Sequence, residues 1–277
     1  MEEIQQSILE LLKKLINTPS FSGDETKTAD LISSFLDVYN INHLRLNNNI
    51  VARSKNWNPD HKTLLLNSHH DTVKVVNGWT KDPFGAEVND GILYGLGSND
   101  AGASLVSLLG AFVYLYEAKL NINIIIAATA EEENFGPLGV KSILATELKS
   151  VDFGIVGEPT VVIDFRVNDC YTLQEGFEIV QDLCESTLKA RSFNNNPSGI
   201  SKDHPLAKAG KDIGLKQFGS ATLSDQAHMR FPTIKMGPGF SERSHTPDEH
   251  IKLEEIKGGL NGYIKFIKQL DTYFATT

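Results

Sequence analysis

Two rhythms of apolar residues run through this chain. Near its start Ile4, Ile8, Leu11, Leu12 and Leu15 recur at three- and four-residue steps, the spacing of one helix face. Glu2 and Glu3 precede them, Lys13 and Lys14 lie near the far end, and Pro19 follows. Acid first and base last complements the helix dipole, so the pattern predicts a surface helix of a globular domain. Residues 26–39 repeat the amphipathic pattern, and residues 253–270 predict a closing helix of the same kind. Residues 101–118 are apolar and rich in small side chains, which predicts a buried helix packed on a sheet, and residues 141–148 predict a further helix.

The second rhythm is a set of short, continuously apolar runs. Residues 63–67, 122–128 and 153–156 predict buried strands. Residues 47–52 predict a turn entering a strand, and 233–236 a further strand. Asn77-Gly78, Pro83 and Asn89-Asp90-Gly91 mark 73–94 as loop and hairpin, and 219–225 reads as a turn region. Strands that alternate with helices and show no polar face predict an α/β fold: a mainly parallel, mixed sheet with helices on both faces.

Residues 161–192 break the pattern. They predict a strand (161–167), a helix (172–184) and a short strand (187–191), ahead of an Asn/Pro/Gly loop. So small an α+β unit cannot bury a core alone and must dock on something larger. The expected organisation is a main domain in two parts, 1–160 and 193–277, with this small unit between them.

Composition narrows the function. A chain of 277 residues suits one large domain, or a large one with a small one. A net charge of −9 without a basic stripe argues against nucleic acid. Cys170 and Cys184 are too few for a disulfide scaffold, which fits a reducing cytoplasm. The acidic start is unlike a secretory signal. The longest apolar run, 122–130, is far too short to span a membrane, so no membrane partner is expected.

The chemistry gathers where apolar runs end. Leu64-Leu65-Leu66-Asn67-Ser68-His69-His70-Asp71 is a strand that delivers His and Asp to its end. The same arrangement recurs at Gly95-Leu96-Gly97-Ser98-Asn99-Asp100, at Thr129-Ala130-Glu131-Glu132-Glu133, at Gly157-Glu158-Pro159-Thr160 and at Arg243-Ser244-His245. Open α/β sheets bind ligands beyond the carboxyl ends of their strands. Imidazoles and carboxylates converging there suit a pair of divalent ions that clamp a carbonyl and generate hydroxide near neutral pH. Asp71, two residues beyond His69 on an extended chain, is placed to orient that imidazole. Each cluster also has a plainer reading. His69 and His70 could be polar loop residues, Asp100 a helix N-cap, and Glu131 to Glu133 a solvated acidic turn. Gly95 and Gly97 make a phosphate loop conceivable, although the spacing fits neither dinucleotide nor P-loop fingerprints.

Taken together and in this order, the five motifs resemble those of the M20 metallopeptidase family, and they span most of the chain. The resemblance implies a dinuclear metal site, zinc expected, with cobalt or manganese also suited to such donors. By it, His69 and Glu158 hold one ion, Glu133 and His245 hold the other, and Asp100 bridges them. Asp71 supports His69, and Glu132 is the general base. The implied reaction removes the acyl group from an N-acyl amino acid. N-acetylornithine is favoured, with N-acetylcitrulline and N-succinyl amino acids, including N-succinyl-diaminopimelate, as analogues. An exopeptidase of the same family, or a metal-binding but idle domain, are the alternatives. His43, His61, His70, His204, His228 and His250 match no ligand motif.

The sequence departs from the family pattern after Thr160. There the family inserts a lid domain that makes its dimer and lends a histidine to the partner's active site. Residues 161–192 resemble only the tail of that lid. Either the chain lacks most of the lid or an internal stretch has been dropped from it. A Cα separation well beyond about 3.8 Å between Thr160 and Val161 would mean the latter. With the dimer surface largely missing, a monomer or weak dimer is expected. Arg166 is a candidate partner for a substrate carboxylate, with a surface ion pair as the alternative.

Overall fold

The computed structural model describes residues 1–159, 200–217 and 224–275, with Gln174, Glu175 and Glu178. Its centre is a six-stranded sheet in the order β1-β2-β6-β3-β7-β8. The strands are β1 (His43–Leu46), β2 (Asn49–Arg53), β3 (Lys62–His69), β6 (Ile122–Thr129), β7 (Phe153–Gly157) and β8 (Thr233–Met236). The last four run parallel, while β1 and β2 form an antiparallel edge. β8 pairs directly with β7, so the segments before and after residues 161–192 share one sheet.

The central strands are apolar throughout because both sheet faces are covered. Leu64 and Leu66 of β3, with Ile124 and Ile126 of β6, enter the larger core. Leu65, Ile125 and Ala127 point the other way, into a smaller cluster with Val156 and Met229. Five helices enclose the larger core: α1 (Glu2–Ile16), α2 (Thr26–Val38), α3 (Ala103–Leu115), α5 (Pro205–Asp212) and α6 (Leu253–Asp271). The short α4 (Lys141–Leu144) covers the smaller cluster. The expected mixed α/β fold is therefore present, with the helical cover unequal between the two faces of the described residues.

Some boundaries differ from expectation. The helix expected over 141–148 stops at Leu144 and gives way to turns. The helix expected from residue 101 starts at Ala103, because Asp100 and Ala101 have non-helical backbone angles. Three elements escaped the periodicity. β1 is a four-residue edge strand, too short to show alternation, and β9 (His250–Lys252) is shorter still. α5 does carry a start signal, with Pro205 in its first turn and the His204 side chain accepting the Leu206 N–H.

A second sheet, β4-β5-β9, joins β4 (Val88–Asn89) and β5 (Ile92–Tyr94), the expected hairpin, to β9. This sheet lays the segment after His245 against the turn that leads to Asp100. No helix among the described residues is long and apolar enough to cross a membrane. The elements expected within 161–192, Arg166, both cysteines and the 160–161 junction lie outside the described residues.

Candidate metal centre

β3, β6 and β7 end at one edge of the sheet, and His69 stands opposite Thr129 across the β3–β6 ladder. The residues just beyond these ends make the site. His69 is buried, and its Nε2 has no hydrogen-bond partner. Around that nitrogen lie Asp100 Oδ1 at 3.4 Å, Glu132 Oε2 at 3.9 Å and Glu158 Oε1 at 3.9 Å. The other oxygen of Asp100, Oδ2, is 3.5 Å from His245 Nε2, which is 3.0 Å from Glu133 Oε1. Two donors each about 2 Å from one ion stand about 3.3 Å apart at tetrahedral angles. The spacings suit donors facing a shared cation, and the unsatisfied His69 nitrogen is what such an ion would use.

Three groupings have donor atoms within 4.8 Å of one another: His69 with Asp100 and Glu158, Asp100 with Glu133 and His245, and His69 with Glu132 and Glu133. The first two share Asp100 through opposite oxygens. Neither uses Glu132, which leaves that carboxylate beside both.

Asp71 sits behind the site and is fully buried. His69 Nδ1 lies 3.0 Å from the Asp71 backbone carbonyl and 3.4 Å from its carboxylate. The closer contact is thus to the main chain. The carboxylate also accepts the backbone N–H groups of Glu132 (3.0 Å) and Glu133 (3.1 Å) and the Ser22 hydroxyl (2.7 Å). One side chain thereby sets the His69 strand end against the acidic loop.

The electrostatics show a site short of positive charge. Burial pushes Glu158 up to about 8. Burial also lifts Glu132 well above the carboxylate range, with repulsion from Glu158, Asp225 and Glu133 adding to it against the pull of His69. Glu133 is raised too, since burial outweighs its bond to His245. That bond lifts the half-exposed His245 to about 9. For His69, burial favours the neutral ring, but Asp100 and Asp71 outweigh it and hold the imidazole well above its usual range. So many dry carboxylates need protons or cations, and two divalent ions would supply the latter.

The structure brings together His69, Asp71, Asp100, Glu132, Glu133, Glu158 and His245. It also decides the plainer readings. Asp100 does not cap α3, whose N-cap is Gly102. Glu131 folds back onto its own loop and accepts the Leu138 N–H, away from the centre. His70 bonds Thr28 Oγ1 and the Asn48 carbonyl, a satisfied core histidine. The phosphate loop is excluded by a residue that sequence reading missed. Glu249, buried and raised to about 8 by that burial, accepts the N–H groups of Gly97, Asn99 and Asp100. The donors that a phosphate would need already have an acceptor. The signal available was weak: Glu249 lies four residues past His245 and ends no apolar run.

Comparison with known proteins bears on this geometry. A family model described as peptidase family M20/M25/M40 matches residues 65–269. The chain belongs to this family. Among curated relatives, the succinyl-diaminopimelate desuccinylase 2 of a Ruegeria species is 32% identical over 230 residues, covering 78% of this chain and 58% of that protein. The acetylornithine deacetylase of Proteus mirabilis is 30% identical over 177 residues, covering 58% of this chain and 45% of that one. The chain thus spans about half the length of the curated relatives it matches. Among solved structures, an M20 metallo-carboxypeptidase from Sulfolobus solfataricus superposes with a TM-score of 0.71 at 16% identity, covering 98% of this chain and 100% of that one. A dinuclear metal-binding M20 peptidase from Bacillus subtilis gives 0.71 at 12%, covering 98% and 99%. At these identities the structural likeness establishes the fold.

Proposed function

We propose that this M20 chain is a metal-dependent hydrolase of linear amides that removes the acyl group from N-acyl amino acids. The observation that carries the reading is Asp100, whose two oxygens face His69 and His245 from opposite ends of one carboxylate. In this reading His69, Asp100 and Glu158 hold one divalent ion, and Asp100, Glu133 and His245 hold the other. Zinc suits this mixed imidazole and carboxylate set, as would cobalt or manganese. When bound, such a pair supplies Lewis-acid polarisation of the amide carbonyl and lowers the pKa of water.

The chain's own part is proton transfer and alignment. Glu132 belongs to neither of the two ligand sets joined by Asp100 and is held at the loop backbone by Asp71. It takes a proton from the attacking water and returns it to the leaving amine nitrogen, a role favoured by a carboxylate whose affinity for protons has been raised. Asp71 keeps His69 and that loop in register. The base separates this reading from an idle metal-binding domain, because a structural site has no use for a free carboxylate.

Three of the curated relatives are succinyl-diaminopimelate desuccinylases and one is an acetylornithine deacetylase. Both names describe N-acyl derivatives of diamino acids, and that is the substrate class proposed, N-acetylornithine and N-succinyl-diaminopimelate among them. A cytoplasmic setting, as in biosynthesis of arginine or related amino acids, fits the sparse cysteines. The test is amine release by the zinc-, cobalt- and manganese-reconstituted chain from N-acetylornithine, N-acetylcitrulline, N-succinyl-diaminopimelate and unblocked dipeptides. Release from the N-acyl amino acids is expected. Release from dipeptides alone would replace this reading with an exopeptidase, and no release from any would favour the idle domain.

A further inference from the structure

Asn99 immediately precedes the shared carboxylate and is fully buried. Its side chain turns toward the loop that carries His245. Nδ2 donates to the Phe240 carbonyl at 3.0 Å and to Ser244 Oγ at 3.2 Å, while Oδ1 accepts the Phe240 N–H at 3.1 Å. Ser244 is the residue just before His245. Gly239 makes room for this amide. A Cβ there would stand 2.2 Å from Asn99 Oδ1, and the backbone angle φ of +89° is one that glycine adopts at least cost. The Asn99 backbone is held from the other side, where Glu249 accepts its N–H and that of Asp100. Residue 99 is therefore fixed twice, by backbone to Glu249 and by side chain to the His245 loop.

A separate link anchors the same loop elsewhere. Arg243 forms a two-bond pair with Glu255 of α6, at 2.7 and 3.2 Å. Without the Asn99 amide the loop would stay on the protein through Arg243, but it would lose its registration against Asp100. Small changes in the direction of a ligand are costly to a cation site, and the groups that hold ligands in place share that sensitivity.

We propose that Asn99 is a positioning residue that sets His245 against Asp100, and so governs the cation position formed by Asp100, Glu133 and His245 while leaving the His69 position alone. This rests on the dinuclear reading above. The test is calorimetric titration of the chelated full chain with zinc. Wild type is expected to take up two ions. Asn99→Ala should bind one of them with unchanged affinity and the other about 10- to 100-fold more weakly, and the ion affected should be the one that His245→Ala loses. Gly239→Ala, which drives a methyl group against the same amide, should give the same selective loss. Asn121→Ala provides the control: it removes a comparable amide clip, to Asp271 of α6, and both affinities should hold. Equal weakening of both ions, or a lowered unfolding temperature of the chelated protein with both affinities intact, would overturn the assignment of Asn99. Failure of wild type to bind two ions would overturn the dinuclear reading itself, and this assignment with it.

Discussion

His245 Nε2 lies 3.0 Å from Glu133 Oε1, although 112 positions separate the two residues. Their meeting depends on both halves of the chain. Glu133 follows β6 in the large sheet, while His245 is brought in ahead of β9, which pairs with β5. Neither half alone holds a complete set of the donors described above.

Glu132 is the residue whose role separates chemistry from metal binding. Glu132→Gln keeps the side-chain shape and both proposed ligand sets. We expect two zinc ions per chain to survive and amine release to fall by about 10²- to 10⁴-fold. Metal content measured beside turnover checks this, and undiminished turnover would remove Glu132 as the base.

Asp71 reaches further than its neighbour His69. Asp71→Ala removes the acceptor of the Glu132 and Glu133 backbone N–H groups as well as a partner of His69. Each buried donor left unpaired costs about 1–3 kcal/mol. Metal affinity should fall by about 10- to 100-fold. Chemical denaturation of the chelated protein, with zinc titration alongside, separates the two effects, and a variant unchanged in both would contradict the role given to Asp71.

Without metal, stability should decline as pH rises through the neutral range. Glu158 and Glu249 are raised to about 8 and His245 to about 9 in the folded chain. Unfolded, the acids lose their protons near 4.5 and the imidazole near 6.5. Between about pH 6.5 and 8 the folded state therefore binds more protons than the unfolded state, and stability falls with rising pH. The unfolding temperature of the chelated chain should be lower at pH 8 than at pH 6.5. Added zinc should restore it more at pH 8, because ligands must shed their protons to bind. A chelated chain that gains stability over this interval would contradict this charge balance.

Much of this architecture was legible in the residues, for reasons that differ by element. β3 and β6 announce themselves because strands buried on both faces stay apolar throughout, and the ligands stand where those runs end. α1 shows its helical period because only one face is buried. The turn at Asp100 was harder to read. Its glycines suggested a phosphate loop, and only Glu249, 149 positions away, shows that the N–H groups are already taken. Asn99 is similar: its partners Phe240 and Ser244 become neighbours through the fold, and no local pattern marks them. β1 and β9 are too short for any period to emerge.

The shared carboxylate is the centre of the proposed site, and its most direct test is the metal stoichiometry of wild type and Asp100→Ala, measured on chelated full-length protein titrated with zinc. Two ions per chain are expected in wild type, with both bound far more weakly once Asp100 is gone. A wild type that takes up a single ion, or a variant that keeps both at their original affinities, would contradict a site bridged by Asp100.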